Sequence, residues 1–231
     1  MALEARHNRT SAAAARKTGS APVSLTSKAY DAIKTRIVTT AYAPGAYLNE
    51  NMISTELGIG RTPVREALHR LAQDGLIDVI PRKGVIVRPF SLDEIAHVIE
   101  VRLINEPICA AMAARRVTRA QLETPKAILQ AAQQAIDERS DVEVLMHLDQ
   151  QFHAWITEVA ANPVLAEIIL NLHDRSTRHW FLSLSEANHP QRVQEEHMDI
   201  LRAIGAKDEA AAAESARRHV ESSRNTILRV I

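Results

Sequence analysis

The stretch of residues 61–76, RTPVREALHRLAQDGL, constrains the fold of this chain more than any other feature, because it has the signals of one amphipathic helix. Thr62 is a good N-cap, and Pro63 suits the first helical position because its missing N–H has no intrahelical partner there. Apolar residues then recur at helical spacing, at Val64, Leu68, Leu71 and Ala72. Gly75 is expected to end this helix.

Two further helices are predicted before this stretch and a hairpin after it. Apolar residues at helical spacing predict a first helix that stops near Pro44 and Gly45. A second, short helix is predicted at about residues 50–57, where Gly58 suits the left-handed residue after a helix. Residues 76–89, LIDVIPRKGVIVRP, place β-branched residues on both sides of a Pro-Arg-Lys-Gly turn, which predicts a hairpin. Three helices followed by a hairpin form a winged helix-turn-helix.

The rest of the chain has only helical signals. Ser91 and Glu94 have the spacing of a capping box, so a new domain is expected to begin there. Six helices are predicted at about residues 92–116, 119–139, 141–160, 163–186, 190–205 and 207–230. The predicted fold is mainly α, with a winged helix-turn-helix at residues 23–90 and an all-α helical bundle at residues 91–231. Residues 1–22 lack apolar periodicity and are predicted to form a disordered basic tail.

The net charge of the chain changes sign at the boundary between the two predicted domains. The first 90 residues carry 13 basic and 7 acidic side chains, a net charge of +6, and the remainder has a net charge of −6. A locally cationic domain favours a polyanionic partner. Aromatic residues make up only 3% of the chain, which disfavours base stacking on single strands and leaves double-stranded DNA as the expected partner.

Other features exclude whole classes of protein. The single cysteine, Cys109, excludes an intrachain disulfide framework. No apolar run approaches the roughly 20 residues of a membrane helix, and no export signal is evident, so a cytoplasmic, nucleoid-associated protein without a membrane partner is expected.

The start of the third helix carries two cations, Arg61 and Arg65. A helix N-terminus is itself partly positive, so a compensating anion from outside the chain is expected there. In a winged helix-turn-helix this end enters the major groove, where arginine can donate two hydrogen bonds to guanine. Thr62 and the helix N-terminus are predicted to hold a phosphate. The wing tip is predicted to approach the DNA backbone or minor groove with three residues, Arg82, Lys83 and Gly84. For each arginine alone, a solvated surface cation is the ordinary alternative.

Four residues of the predicted bundle have metal-ligand chemistry on inward-facing positions. Asp149 and His153 are four residues apart and share a helix face. His197 shares a face with apolar residues of its helix, and so does His219. Three imidazoles and one carboxylate predict a divalent metal site, with zinc preferred and nickel, iron or copper as alternatives. The ordinary alternative for one buried histidine is a hydrogen-bonded core residue.

Other polar residues of the bundle are not assigned to this site. His173 and His179 are six residues apart on different helical faces, and both are expected to be surface or hydrogen-bonding residues. His147 and His189 also fit the cluster poorly. Glu196 precedes His197 and is expected to point elsewhere.

The first domain resembles the GntR family of bacterial transcription regulators. The family signature RTPVREALxRLxxxGLI appears as RTPVREALHRLAQDGLI and continues into the wing as PRKGVIV. The resemblance implies that the recognition helix starts with Arg61, Thr62, Pro63 and Arg65. It places Gly84 at the wing tip. Asn51 stands where FadR-type members carry a DNA-contacting arginine, so contacts from the second helix are not implied.

The second domain resembles the FCD ligand-sensing domain of the FadR subfamily. The matching stretches are EVRLINEPICAAMAA, DQQFHAWITEVAANP and EEHMDILRAIGAKDEAAAAESARRHV. The resemblance implies metal ligation by Asp149, His153, His197 and His219. It implies effector contact by Arg102, which a kink at Pro107 is expected to shift.

The leading hypothesis is a homodimeric transcription repressor on a palindromic operator, tuned by a small carboxylic acid. The acid would bind the metal with one end and Arg102 with the other. The alternatives are a metalloenzyme with a DNA-binding appendage, an architectural DNA protein, and a regulator whose metal is purely structural. No HExxH or GxSxG motif is present, so the chain is not expected to be an enzyme.

Overall fold

The computed structural model describes residues 24–81, 83–89, 92–183 and 189–230. The predicted tail at residues 1–22, the wing residue Arg82 and the capping residue Ser91 lie outside the described residues. The first part, here called the winged domain, contains α1 (Leu25–Val38), β1 (Tyr47–Leu48), α2 (Glu50–Leu57), α3 (Arg61–Gln73), β2 (Ile77–Ile80) and β3 (Gly84–Val87). The prediction of a winged helix-turn-helix is confirmed.

The second part, here called the bundle, is helical throughout the described residues. It contains α4 (Leu92–Arg116), a short 3-10 helix (Arg119–Leu122), α5 (Glu123–Asp137), α6 (Val142–Ala160), α7 (Pro163–Ser183), α8 (His189–Gly205) and α9 (Glu209–Val230). These elements correspond to the six predicted helices, and the prediction of an all-α bundle is confirmed. None of the described helices is long and apolar enough to cross a membrane.

The wing is a three-stranded antiparallel sheet in the order β1-β3-β2. Ile77 of β2 lies opposite Val87 of β3, and Leu48 of β1 lies opposite Val85. Strand β1 has only two residues, too few to show the alternation that predicts a strand. Gly84 has a φ of +114°, and a Cβ at this position would collide with the carbonyl oxygen of Leu48. The close approach of β1 therefore requires glycine here.

The third helix begins two residues earlier than predicted. Gly60 is its N-cap, and the N–H of Val64 donates to the Gly60 carbonyl oxygen over 3.3 Å. The prediction of Thr62 as N-cap is therefore wrong, and Pro63 occupies the third helical position instead of the first. Proline is tolerated there because the first four N–H groups of a helix have no intrahelical acceptor.

The predicted apolar stripes form the cores of both parts. In the winged domain, Ile33 of α1 and Leu71 of α3 are fully buried against each other's helices. In the bundle, Phe152 of α6 and Ile200 of α8 lie in the main apolar cluster with residues of α4 and α9. The polar residues of the bundle interior are therefore surrounded by a low-dielectric environment.

Helix α7 connects the bundle to the winged domain. Asp174 of α7 forms an ion pair with Lys34 of α1. The next residue, Arg175, forms an ion pair with Glu94 in the first turn of α4. The guanidinium of Arg175 also lies against Gly75, which follows α3. Consecutive residues of one bundle helix thus contact the winged domain and the helix that follows the interdomain connection.

Candidate metal centre and nucleic-acid interface

A groove of about 550 Å³ lies between α3, the start of α2 and the wing. Its lining includes Arg61, Arg65, Lys83 and Gly84, so the structure brings together predicted DNA-binding residues from the helix and the wing. Thr62 is exposed on the same helical turn as Arg61. Pro63 is half-buried, which gives it a structural role in the first turn rather than an exposed contact surface.

Arg65 has a partner within the chain. Its Nε donates to Oε1 of Glu50 over 2.9 Å, and its Nη2 donates to Oε2 over 2.8 Å. The hydrogen bonds from Arg65 hold the pKa of Glu50 below its ordinary value. Arg65 is the fifth residue of α3, which begins at Arg61. The expectation that its compensating anion comes from outside the chain is therefore wrong for the free protein.

Three of the predicted metal ligands converge in the bundle interior. His153 of α6, His197 of α8 and His219 of α9 are at most 4% exposed. One nitrogen of each ring lies within 4.8 Å of the other two. Here these three residues, with Asp149 and His173, are called the histidine cluster. The convergence that sequence spacing could only suggest is therefore present in the fold.

Asp149 lies beside three imidazoles of the histidine cluster. Its Oδ1 is 3.5 Å from Nε2 of His197 and 3.9 Å from Nε2 of His153. Its Oδ2 is 3.1 Å from Nε2 of His173. Burial alone would raise the pKa of Asp149, but the hydrogen bond with His173 and the neighbouring imidazoles lower it overall. Asp149 therefore remains an anionic oxygen donor in the cluster.

His173 is a cluster residue that the sequence interpretation missed. The expected surface position is wrong, because His173 lies buried on α7, 6% exposed, but the expected hydrogen bond is present, with Asp149 as its partner. A signal was present in the sequence, because buried residues of α7 recur at helical spacing at Ile169, Leu172, His173 and Ser176. His173 also gives the cluster a ligand candidate on the helix that contacts the winged domain.

Two ring nitrogens of the cluster are available to bind a cation. Nε2 of His153 and Nε2 of His197 are buried and have no hydrogen-bond partner among the described residues. Burial lowers the pKa of His197 to about 3 and places the pKa of His153 well below its ordinary value. Both rings are therefore neutral at physiological pH, and neutral imidazole is the form that binds a divalent metal.

The orientation of His219 is set by Glu196. Nδ1 of His219 lies 2.9 Å from Oε2 of Glu196, so the ring donates its Nδ1 proton to the carboxylate. This leaves Nε2 of His219 as the nitrogen available to a metal. A carboxylate behind a ligating imidazole fixes its tautomer and increases its basicity. The expectation that Glu196 points elsewhere is wrong, because it reaches the neighbouring helix α9.

Arg102, the predicted effector contact, is buried and paired. Its Nε donates to Oε1 of Glu106 over 2.5 Å, and both side chains are less than 10% exposed. Burial alone would raise the pKa of Glu106, but the charge and hydrogen bond of Arg102 hold it below its ordinary value. His219 and His173 lower the same pKa, which places this ion pair beside the histidine cluster. Helix α4 continues through Pro107, and the kink expected there stays a prediction.

A small cavity of about 30 Å³ adjoins the cluster between α5, α6 and α8. Asp149 and His197 line it on one side, and apolar residues such as Leu129, Leu148 and Val193 line the other. This volume holds about one water molecule. A larger ligand therefore requires the surrounding side chains to move.

The chain is similar to two known families along most of its length. The profile of the FCD domain matches residues 97–222, and that of the bacterial regulatory proteins of the gntR family matches residues 25–87. The HTH-type transcriptional repressor RspR of Escherichia coli is 27% identical over 201 residues, which cover 87% of this chain and 88% of RspR.

Solved structures agree with these matches. The structure of E. coli McbR/YncC is 25% identical, has a TM-score of 0.80, and covers 90% of this chain and 99% of its own. A GntR regulator of Rhodococcus sp. RHA1, 20% identical with a TM-score of 0.70, shares the fold over 88% of this chain and 97% of its own.

The matched families and these relatives are transcription regulators, which confirms the prediction that the chain is not an enzyme. The chain belongs to the GntR family of DNA-binding bacterial transcription regulators and carries an FCD domain after its winged helix-turn-helix.

Proposed function

We propose that this regulator is a repressor that binds a palindromic operator. It dissociates from the operator when a small carboxylic acid binds a divalent metal in the bundle. One observation carries the metal-dependent part of the proposal. Two buried imidazole nitrogens, Nε2 of His153 and Nε2 of His197, face a cluster with a third histidine and a carboxylate, and have no partner among the described residues.

The metal is expected to be held by Asp149, His153, His197 and His219. Zinc is preferred for this set of imidazole and carboxylate ligands, and nickel is the main alternative. The carboxylate also offsets part of the metal charge in a buried environment. His173 is within reach of Asp149 and either orients that carboxylate or adds a fifth ligand. When bound, the metal supplies a positive centre that attracts a carboxylate ligand.

The effector is proposed to be a small carboxylic acid because a metal with four or five protein ligands and a capacity of six retains room for a carboxylate oxygen. Arg102 is the cation proposed to pair with a second anionic group of such a ligand. In the free protein Arg102 is held by Glu106. The effector must therefore share or replace this carboxylate.

The DNA-binding face is proposed to be the groove of α3 and the wing. Arg61 and Arg65 would read base edges in the major groove, and Thr62 and Pro63 form the first turn that approaches the phosphates. Three wing residues, Arg82, Lys83 and Gly84, would lie on the backbone or minor groove.

A homodimer is supported by an apolar stripe on α4 that no other described residue covers. Val101, Ile104 and Ile108 are 39%, 63% and 53% exposed and lie on one helical face. A second copy related by two-fold symmetry would cover this stripe on both protomers. Two winged domains related in this way match the two half-sites of a palindromic operator.

Coupling between the two sites is proposed to run through α7. His173 faces the cluster, Asp174 pairs with Lys34 of the winged domain, and Arg175 pairs with Glu94. A ligand that moves His173 therefore acts on one interdomain ion pair, at Asp174, and on an ion pair with the first turn of α4, at Arg175. The proposal that the protein represses transcription is supported by the name of the similar protein, the transcriptional repressor RspR.

The proposal is tested with operator DNA selected by the protein from a random-sequence library. Fluorescence anisotropy gives the operator Kd of metal-free protein, zinc-loaded protein, and zinc-loaded protein with acetate, lactate, malonate or citrate. We expect at least one acid to weaken operator binding only when zinc is present. An operator Kd that is the same in all these states would refute the sensor function.

A regulator with a purely structural metal is the second candidate. The small volume of the adjoining cavity and the engagement of Arg102 by Glu106 favour it. It predicts that zinc raises the melting temperature and that no carboxylic acid raises it further or changes the operator Kd.

A further inference from the structure

We propose that Glu50 is a positioning residue for sequence recognition, because it holds the guanidinium of Arg65 with one edge free to read a base. This inference rests on the proposed contact of Arg65 with DNA. Glu50 is a carboxylate inside a cationic groove. Its charge alone would not predict a role in sequence specificity.

The geometry leaves Arg65 able to serve two partners. A guanidinium has five N–H groups, and Glu50 receives those of Nε and one of the two on Nη2. One N–H group of Nη1 and the second N–H group of Nη2 form a separate edge. Guanine offers O6 and N7 to such an edge in the major groove. One side chain can therefore be fixed by Glu50 and still donate two hydrogen bonds to a base.

Glu50 is itself held firmly in place. It is the first residue of α2, whose N-cap Asn49 accepts a hydrogen bond from the Met52 N–H over 2.8 Å. The partial positive charge of this helix N-terminus stabilises a carboxylate. Ile53, one turn later, is fully buried and fixes α2 against the winged domain. The Glu50 side chain is only 29% exposed, whereas that of Arg65 is 55% exposed. The less exposed carboxylate of Glu50 thus orients the more exposed guanidinium of Arg65.

The ordinary alternative is a surface salt bridge without a functional role. Exposed ion pairs contribute little to stability, and a carboxylate in the groove repels DNA phosphates. That alternative predicts that removal of the Glu50 charge strengthens binding to every DNA sequence by the same factor. A positioning role predicts instead that operator binding weakens relative to binding of random DNA, because a freed arginine loses conformational entropy on docking.

The test compares Glu50→Gln with Glu66→Gln. Glu66 is exposed on the same helix α3, accepts a hydrogen bond from Thr26, and does not line the groove. The two substitutions change the charge of the winged domain equally. Fluorescence anisotropy gives the Kd for the library-selected operator and for random-sequence duplex DNA at several salt concentrations. Circular dichroism establishes that each variant keeps the fold and melts near the wild-type temperature.

For Glu50→Gln we expect the ratio of random-DNA Kd to operator Kd to fall about tenfold, within the range of discrimination by one bidentate arginine–guanine contact. For Glu66→Gln we expect the ratio to change less than about twofold, since that site is outside the groove. Equal ratios for Glu50→Gln and wild type, or equal effects of the two substitutions, would overturn the positioning role.

Arg65→Lys separates failure of this inference from failure of the proposed function. Lysine keeps the charge but lacks the second edge. If Arg65→Lys binds the operator as specifically as the wild type, Arg65 does not read a base and both proposals about it fail. If Arg65→Lys loses specificity and Glu50→Gln does not, only the positioning role of Glu50 fails.

Discussion

Loading the histidine cluster with Zn²⁺ is predicted to raise the melting temperature of the protein by about 5–10 °C. In the metal-free protein, Nε2 of His153 and Nε2 of His197 are buried without hydrogen-bond partners among the described residues. Each such atom destabilises the fold by about 1–3 kcal/mol. A bound metal satisfies both atoms, and free metal at 100 times its Kd contributes about 2.7 kcal/mol. In a protein of this size, 1 kcal/mol shifts the melting temperature by about 2–4 °C.

The assay is thermal unfolding by circular dichroism of protein treated with chelator and then titrated with zinc or nickel chloride. His153→Gln should abolish most of the shift because it removes one ligand. His147→Gln is the matched control, since His147 is exposed on the same helix α6 and bonds Gln151 outside the cluster. Calorimetric titration should give one metal per chain.

Two results would refute this reasoning. One is a melting temperature that does not change at saturating concentrations of zinc, nickel, manganese or iron. The other is an equal loss of the shift in His147→Gln and His153→Gln, which would place the metal at a surface site.

Three further predictions concern pH, assembly and coupling. His153 and His197 stay neutral in the folded state and protonate near pH 6.5 when unfolded, so the metal-free protein should lose about 1.4 kcal/mol of stability per pH unit per histidine as the pH falls from about 6.5 to 5. Urea unfolding should show a shallower pH slope for His197→Gln, and an unchanged slope would count against burial of neutral rings. Ile104→Glu should convert a dimer into a monomer in analytical ultracentrifugation, and a persistent dimer would exclude the α4 stripe as the interface. Lys34→Gln removes the ion pair with Asp174. In this variant the operator Kd measured with effector should approach the operator Kd measured without it, while the metal affinity stays unchanged. An effector response equal to that of the wild type would contradict coupling through α7.

Local sequence signals predicted most of the fold because helix limits depend on nearby residues. The six bundle helices lie at the predicted positions, and Gly58 and Gly75 adopt the left-handed conformations expected after α2 and α3. The predicted start of α3 is two residues too late, because Gly60 serves as N-cap without a side-chain hydrogen bond. The two-residue strand β1 gave no periodic signal at all.

The candidate sites were predictable only in part because side-chain pairing depends on tertiary packing. Helical spacing pointed His153, His197 and His219 inward, and the fold brings them together. Spacing could not show that Glu196 reaches across to α9, or that Glu50 pairs with an arginine 15 residues later. These contacts join different helices, and no local periodicity encodes them.

Metal-dependent sensing is tested most directly by the operator Kd of one preparation measured in the metal-free state, with zinc, and with zinc plus a carboxylic acid that raises its melting temperature. The acid is expected to weaken operator binding of the zinc-loaded protein by at least about fivefold, the lower range of allosteric coupling. It is expected to have no such effect on His153→Gln. The same operator Kd with and without the acid, in protein that demonstrably binds zinc and the acid, would contradict the central claim.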